Sequence, residues 1–169
     1  MRLLALFSAL LSIILLSSCA SPSGHNGYLT RPYTIRGQHY HPMPVEQALY
    51  HTEVGVASWY DESSWLGFKR GNTSLGEKVQ PWHISGAHKT LPLPCEVKVT
   101  NLENGKTLKM RLNDRGPFIP GRIIDVTPRA AKKLDFHKDG LTKVKIEVLS
   151  VGDGKYKRKP KRKKRFLFF

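Results

Sequence analysis

Three runs of this chain alternate apolar and polar side chains with period two, the pattern of a strand buried on one face only. Val97 and Val99 alternate with Lys98 and Thr100 in the run 96–102. Leu108, Met110 and Leu112 alternate with Lys109 and Arg111 in the run 106–112. Val144, Ile146 and Val148 alternate with Lys145 and Glu147 in the run 143–149. Glu103-Asn104-Gly105 joins the first two, and Asn-Gly is the strongest short hairpin signal because both residues tolerate positive φ. A fourth run, Val54 to Tyr60, is rich in β-formers and ends on two aromatics. A fifth, Gly121 to Thr127, is short and apolar. Thr127-Pro128 then predicts a helix over 128–134, with Pro at the first helical position, where its missing N–H costs nothing. Trp82 to His88 predicts a short helical turn or an irregular strand. Leu91-Pro92-Leu93-Pro94 is extended, since each Pro disfavours α in the residue before it. About six short strands and one small helix make a small barrel or sandwich, and the strand–helix–strand order near the end favours a barrel.

The ends of the chain follow other patterns. Arg2 precedes an apolar run from Leu3 to Leu16, shorter than the roughly 20 residues of a spanning helix, so residues 1–18 read as a signal peptide. Leu16-Ser17-Ser18-Cys19 resembles the lipobox of bacterial lipoproteins. That resemblance implies that Cys19 is acylated and becomes the new N-terminus. Ala20 stands where lipoproteins retained at the inner membrane commonly carry Asp, which implies the periplasmic face of the outer membrane. Residues 19–30 read as a tether, and 31–54, with Tyr33, Ile35 and Tyr40, as an arm too apolar for a pure linker. The barrel is expected over 55–150 and a basic disordered tail over 151–169.

Charge sharpens this division. The chain of 169 residues carries a net charge of +15. Nine basic groups against Asp153 place +8 of it in residues 151–169, which leaves the middle only mildly cationic. The tail ends on Phe166-Leu167-Phe168-Phe169 and has two readings, an anchor on anionic headgroups or a solvated end. Nucleic-acid binding conflicts with the export signal. Cys19 and Cys95 are the only cysteines. With Cys19 acylated, Cys95 has no partner and reads as a small buried hydrophobe. His39, His41 and His51 fall among prolines without metal-ligand spacing and read as solvated. No metal or cofactor motif is found.

The candidate chemistry lies in Asn113-Asp114-Arg115-Gly116-Pro117-Phe118. The strand 106–112 delivers Asp114 and Arg115 to its own end, and Gly116-Pro117 stops it at once. Asp114 is either a working carboxylate in a cleft or a turn residue that accepts nearby backbone N–H groups.

Several motifs in fixed order carry a resemblance. They are Gly55-Val56-Ala57-Ser58-Trp59-Tyr60, Gly76-Glu77, Ala87-His88-Lys89-Thr90-Leu91-Pro92, Val99-Thr100-Asn101-Leu102, Asn113 to Phe118, and Arg122-Ile123-Ile124-Asp125. Over residues 31–149 the chain resembles the rare lipoprotein A family, whose double-psi β-barrel is related to the barwin and expansin barrels. The resemblance implies a mainly β fold, a small double-psi β-barrel with one or two short helices. It implies a lytic transglycosylase that cuts the glycan strands of peptidoglycan, peptide-stripped strands among them, and leaves 1,6-anhydro-muramyl ends. It maps the family's functional residues onto Glu77, His88 and Asp114. Cleavage needs an acid with a raised pKa at the glycosidic oxygen. Because the sugar's own C6 hydroxyl attacks, no second carboxylate is needed to hold water. Asp114 is then the acid/base, Glu77 its partner, either a second acid/base or the stabiliser of developing charge, and His88 orients a carboxylate or binds sugar. Asn113, Arg115, Trp59 and Tyr60 are candidate sugar contacts, with structural alternatives: Arg115 in an ion pair with a barrel carboxylate, Trp59 and Tyr60 in the core. Asp125 is expected to hold the turn into the helix. The expected partners are glycan strands and, through Cys19 and the tail, the membrane, with the protein a monomer. The 61–77 loop departs from the family's pattern, and there is no room for the septal repeat domain many relatives carry. The competing expectation is a non-catalytic, expansin-like wall-binding lipoprotein.

Overall fold

The alternating runs pair with one another. The computed structural model describes residues 29–60, 71–80 and 82–157. The signal peptide, Cys19, residues 61–70 and the tail from residue 158 lie outside them. The elements are β1 (Tyr33–Ile35), β2 (Gln38–Tyr40), α1 (Val45–Ala48), β3 (Thr52–Trp59), β4 (Ser85–His88) and β5 (Cys95–Asn101). Then follow β6 (Thr107–Asp114), β7 (Arg122–Val126), α2 (Pro128–Leu134), β8 (Leu141–Val151) and β9 (Tyr156–Lys157). The strands run in the order β3-β7-β4-β6-β5-β8, and β8 returns to β3, so six strands close on themselves. Within the ring β3 lies parallel to β7 and β4 parallel to β6, while the other pairs are antiparallel. This is the expected double-psi β-barrel, with two short helices.

The apolar half of each alternating run fills the barrel. Val97, Val99, Leu112, Ile124, Val126 and Ile146 are fully buried. Ala130, Ala131 and Leu134 of α2 join the same core. Cys95 is buried there as a small hydrophobe, and burial pushes its thiol up to about 12, which leaves it inert as a nucleophile. Thr127 stands at the N-cap of α2 without capping it. Its hydroxyl donates instead to the His83 carbonyl at 2.6 Å. Pro128 and burial of the apolar face set the helix start.

Of the two readings of 82–88, the irregular strand holds. β4 carries a register shift between Gly86 and Ala87 where it meets β6. Glycine is required at 86, because a Cβ there would lie 2.7 Å from the Asp125 carbonyl oxygen and 3.2 Å from Leu112 Cδ2. Gly86→Ala is expected to cost about 1–3 kcal/mol as β4 and β7 are forced apart. Urea denaturation measures this directly, and an unchanged midpoint would contradict the close approach.

The arm forms a β1–β2 hairpin turned by Arg36 and Gly37, both at positive φ. Tyr33 and Tyr40 stack at 5.1 Å, and both rings meet Phe118, at 6.3 and 5.4 Å. Tyr33 Oη donates to the Lys89 carbonyl at 2.7 Å, tying the arm to the end of β4.

Candidate functional site

The site is built on the outer face of β6, β4 and β7. Side chains alternate along a strand, and the residues next to the buried Leu112, Ile124 and Val126 face outward. Register aligns four of them. Ser58 pairs with Asp125, Asp125 with Ala87, and Ala87 with Asp114. The shift at Gly86/Ala87 skips Asn113 and brings Asp114 level with Ala87.

Glu77 reaches this face from the 71–80 loop. The loop folds back through bonds from Thr73 N to the Glu77 carbonyl at 2.7 Å and from Val79 N to that of Gly71 at 3.1 Å. Glu77 Oε2 accepts from Arg111 at 2.7 Å and from Asn113 Nδ2 at 2.7 Å. The Arg111 guanidinium, helped by Asn113, holds its carboxyl below the usual range against a smaller effect of burial. Arg111 also grips Asp153 through Nε at 2.6 Å. Asp114 Oδ1 accepts three donors: Ser74 N at 2.8 Å, Ser74 Oγ at 2.6 Å and Arg115 N at 2.7 Å. Its Oδ2 has no hydrogen bond to any described residue. Asp114 is thus a turn residue that accepts backbone N–H groups and also a carboxylate with one oxygen left open. Glu77 and Asp114 are brought together by a shared loop, 73–77, and by adjacent positions on β6.

His88 stands apart from them. It is 2% exposed, and both ring nitrogens are occupied. Nδ1 accepts from Thr90 N and Leu91 N, each at 3.1 Å, so Nε2 carries the hydrogen and donates to Glu53 Oε2 at 3.1 Å. The carboxylate it orients is therefore Glu53 of β3, and no face of the ring is open to sugar. His51 donates to the same Glu53 oxygen at 3.1 Å and is not solvated as expected. The turn that His88 shapes in turn holds Arg115. The guanidinium donates to the carbonyls of His88, Lys89 and Leu91 at 3.3, 3.2 and 2.6 Å, and to that of Leu29 at 2.5 Å. Its carbon lies 5.2 Å from the centre of the Tyr33 ring. Arg115 is a clamp between the arm and the 88–91 turn, and among the described residues it forms no ion pair with a carboxylate.

Glu53 makes the acid response of the fold calculable in sign. Hydrogen bonds from His88 and, to a lesser degree, His51 hold its carboxyl down at about 2, from an ordinary 4.5. That contribution to stability is complete above 4.5 and is lost as pH falls toward 2. Burial pushes His88 below its ordinary 6.5, so the unfolded chain binds its proton first and stability also falls as pH drops through that value. Glu53→Gln should therefore unfold at lower urea than wild type at neutral pH, with the gap closing as pH falls from 4.5 toward 2. A gap of the same size at neutral pH and at about pH 3 would contradict the assignment.

The remaining candidates separate. Trp59 turns to the core side of β3, where its Nε1 donates to the His137 carbonyl at 3.1 Å and its ring stacks on that of His137 at 4.4 Å. Of its two readings the core one holds. Tyr60 is half-buried and continues β3 by bonding its N–H to the Val126 carbonyl at 3.1 Å. Asn113 is buried, donates to Glu77, and leaves its Oδ1 without a partner. Asp125 does not hold the turn into α2; its carboxylate accepts from the Ser58 hydroxyl of the neighbouring strand. Burial pushes its carboxyl up, against the Ser58 bond and the charges of Arg122 and Lys89. Beyond Lys89 a cleft of about 270 Å³ opens between the arm and the turn after Asp114, lined by Gln38, Tyr40, Lys89, Phe118, Ile119 and Pro120. Arg111, Ser74 and Glu53 went unread in the sequence. Only Arg111 left a signal, its place two residues before Asn113 on the polar face of one strand.

A closed double-psi barrel with carboxylates gathered on one outer face defines the class of this protein. The family described as lytic transglycolase matches residues 52–146, the barrel itself. The chain belongs to that family, and its kin are the rare lipoprotein A proteins. It is 45% identical over 129 residues to the endolytic peptidoglycan transglycosylase RlpA of Pseudomonas aeruginosa, covering 76% of this chain and 36% of that protein. To RlpA of Rickettsia bellii it is 46% identical over 124 residues, covering 73% and 53%. The chain thus spans between a third and about half of the length of these relatives. An expansin from Clavibacter michiganensis superposes with a TM-score of 0.44 at 17% identity, over 59% of this chain and 50% of that one, too loosely to carry weight.

Proposed function

We propose that this protein is a lytic transglycosylase that cleaves the glycan strands of peptidoglycan and leaves 1,6-anhydro-muramyl ends. The observation that carries the reading is the pair Glu77 and Asp114 on one exposed face, with Asp114 pinned through Oδ1 and open at Oδ2. The names of the Pseudomonas and Rickettsia relatives support the same substrate. Cleavage moves two protons, one onto the glycosidic oxygen and one off the C6 hydroxyl that closes the anhydro ring. Asp114 faces the reacting sugar. Glu77, held ionised by Arg111, opposes the positive charge that develops at the anomeric carbon. His88 and Glu53 touch no substrate and hold the turn behind Arg115.

The protein works as a monomer, anchored through acylated Cys19 at the periplasmic face of the outer membrane. The lipobox-like Leu16-Ser17-Ser18-Cys19 and the Ala20 that follows it support this placement. The basic tail adds contact with anionic headgroups.

The test is mass spectrometry of fragments released from purified sacculi, intact and peptide-stripped, by the full chain in detergent. Anhydro-muramyl ends are the expected product. Reducing ends would make the protein a hydrolase. Binding to sacculi without new ends would favour a non-catalytic, expansin-like wall binder.

A further inference from the structure

Three aromatic rings gather outside the barrel. Tyr33 and Tyr40 come from the β1–β2 hairpin and Phe118 from the turn after β6, and none of them belongs to the barrel core. The planes of Tyr33 and Tyr40 lie 18° apart, and Phe118 is tilted 58° against Tyr40. Rings assembled and half-exposed away from a core mark a contact surface. Tyr40 and Phe118 line the cleft of about 270 Å³, with the exposed Ile119 and Pro120 beside them and Gln38 and Lys89 as the polar lining.

We propose that this cleft is a glycan subsite, which holds a sugar ring of the same strand that is cut at Asp114, at a distance from the cut bond. The assignment rests on the transglycosylase reading and deepens it. A sugar ring presents C–H groups on its faces and hydroxyls around its edge. The negative face of an aromatic ring attracts the weakly positive C–H hydrogens, so Tyr40 and Phe118 suit the face. Gln38 and Lys89 suit the edge. Gln38 is exposed, and its amide donates to the adjacent His39 carbonyl at 3.3 Å while its oxygen accepts nothing from a described residue. Lys89 gives one ammonium hydrogen to the Arg122 carbonyl at 2.5 Å, which leaves the others for a ligand. Aromatic walls with a few polar groups are the usual form of a small-ligand site. No carboxylate lines the cleft, so it binds sugar and does not cut it.

The cleft is tied to the reacting face. The segment 114–118 leads straight from Asp114 to Phe118, and four residues span at most about 14 Å. Arg115 joins the two ends of that path. Its N–H donates to Asp114 Oδ1 at 2.7 Å and to Ser74 Oγ at 3.0 Å. Its guanidinium lies over the ring of Tyr33, which stacks on Tyr40. One residue thus holds both the carboxylate that meets the reacting sugar and the rings that meet a further one. A strand lying across Asp114 has its second point of contact a short stretch of glycan away.

The experiment measures anhydro-end formation from soluble, peptide-stripped glycan strands fractionated by length, with the full chain in detergent. Calorimetry measures binding of the same strands, and urea midpoints are recorded alongside. Wild type is compared with Tyr40→Leu, which keeps apolar bulk against Phe118 and loses the ring face. It is also compared with Gln38→Ala, at an exposed position without a long-range bond. On long strands Tyr40→Leu is expected to raise KM about tenfold, with a much smaller fall in kcat, because a distant subsite grips ground state and transition state alike. Gln38→Ala should raise KM a few-fold. Both effects should shrink as the strands become too short to reach the cleft. A purely structural arm gives another pattern: loosening it frees Arg115 and lowers kcat on strands of every length. That pattern, or wild-type KM on long strands in both variants, overturns the subsite and leaves the transglycosylase standing. If Tyr40→Leu does not fold, Gln38→Ala decides. If wild type binds strands and makes no anhydro ends, the transglycosylase falls; weaker binding of long strands by the variants then upholds the cleft as a glycan site, and wild-type binding by both overturns it. Strands neither cut nor bound overturn both.

Discussion

Asp114→Asn is expected to yield a folded barrel that makes almost no anhydro-muramyl ends. The substitution keeps an oxygen where Ser74 N, Ser74 Oγ and Arg115 N donate, so the turn retains its three hydrogen bonds. What changes is the open oxygen, which becomes an amide that can neither take a proton nor carry negative charge. Loss of a positioned proton-transfer group costs about 10²–10⁴-fold in turnover. Stability should change by no more than about 1 kcal/mol, since no buried contact is removed. The two measurements are the rate of anhydro ends from sacculi and the urea midpoint. A variant with wild-type turnover would remove Asp114 from the chemistry. A variant that loses turnover only because it unfolds would make the residue structural.

The second large effect is expected from His88→Ala, and it is an effect on the fold. The ring fills a buried site, accepts two backbone N–H groups and donates to Glu53. Its removal leaves a cavity, two N–H groups without an acceptor, and Glu53 with His51 as its remaining histidine partner. Together these cost about 3–5 kcal/mol. Activity should fall too, because the carbonyls of His88, Lys89 and Leu91 hold Arg115, the residue next to Asp114. A positioning role makes a further demand. The pH profile of the residual activity should keep the shape of wild type, because no proton passes through His88. An altered profile with an unchanged urea midpoint would place the ring at the reacting sugar instead.

Sequence and structure part company at identifiable residues. The strands were legible at Val97 and Val99, at Leu108 to Leu112, and at Val144 to Val148, because burial of one face writes itself into alternation within a single strand. Pro128 marked the helix start for an equally local reason. Trp59 was ambiguous because an aromatic at a strand end suits a sugar or a core equally well; its ring meets His137, which follows α2 and lies 78 residues along the chain. Glu53 escaped notice because its meaning lies in His88, 35 residues away. The clamp at Arg115 was illegible because the sequence shows only its charge, while its partners are backbone carbonyls that every residue carries.

By itself, the sequence determined a small mainly β barrel, the order of its strands along the chain, and Asp114 as a carboxylate at a strand end; Glu77 came only with the family resemblance. These follow from period-two burial, from turn chemistry and from motifs read within a few residues. The tertiary structure alone decided which residues share a face. Closure of β8 onto β3 and the register shift at Gly86/Ala87 place Asp114, Ala87, Asp125 and Ser58 in one row, although they are scattered from residue 58 to residue 125. The physical reason is that alternation says which side chains of a strand point the same way, whereas register says which strands they meet. A shift of one residue would reverse every such pairing without changing a single local preference.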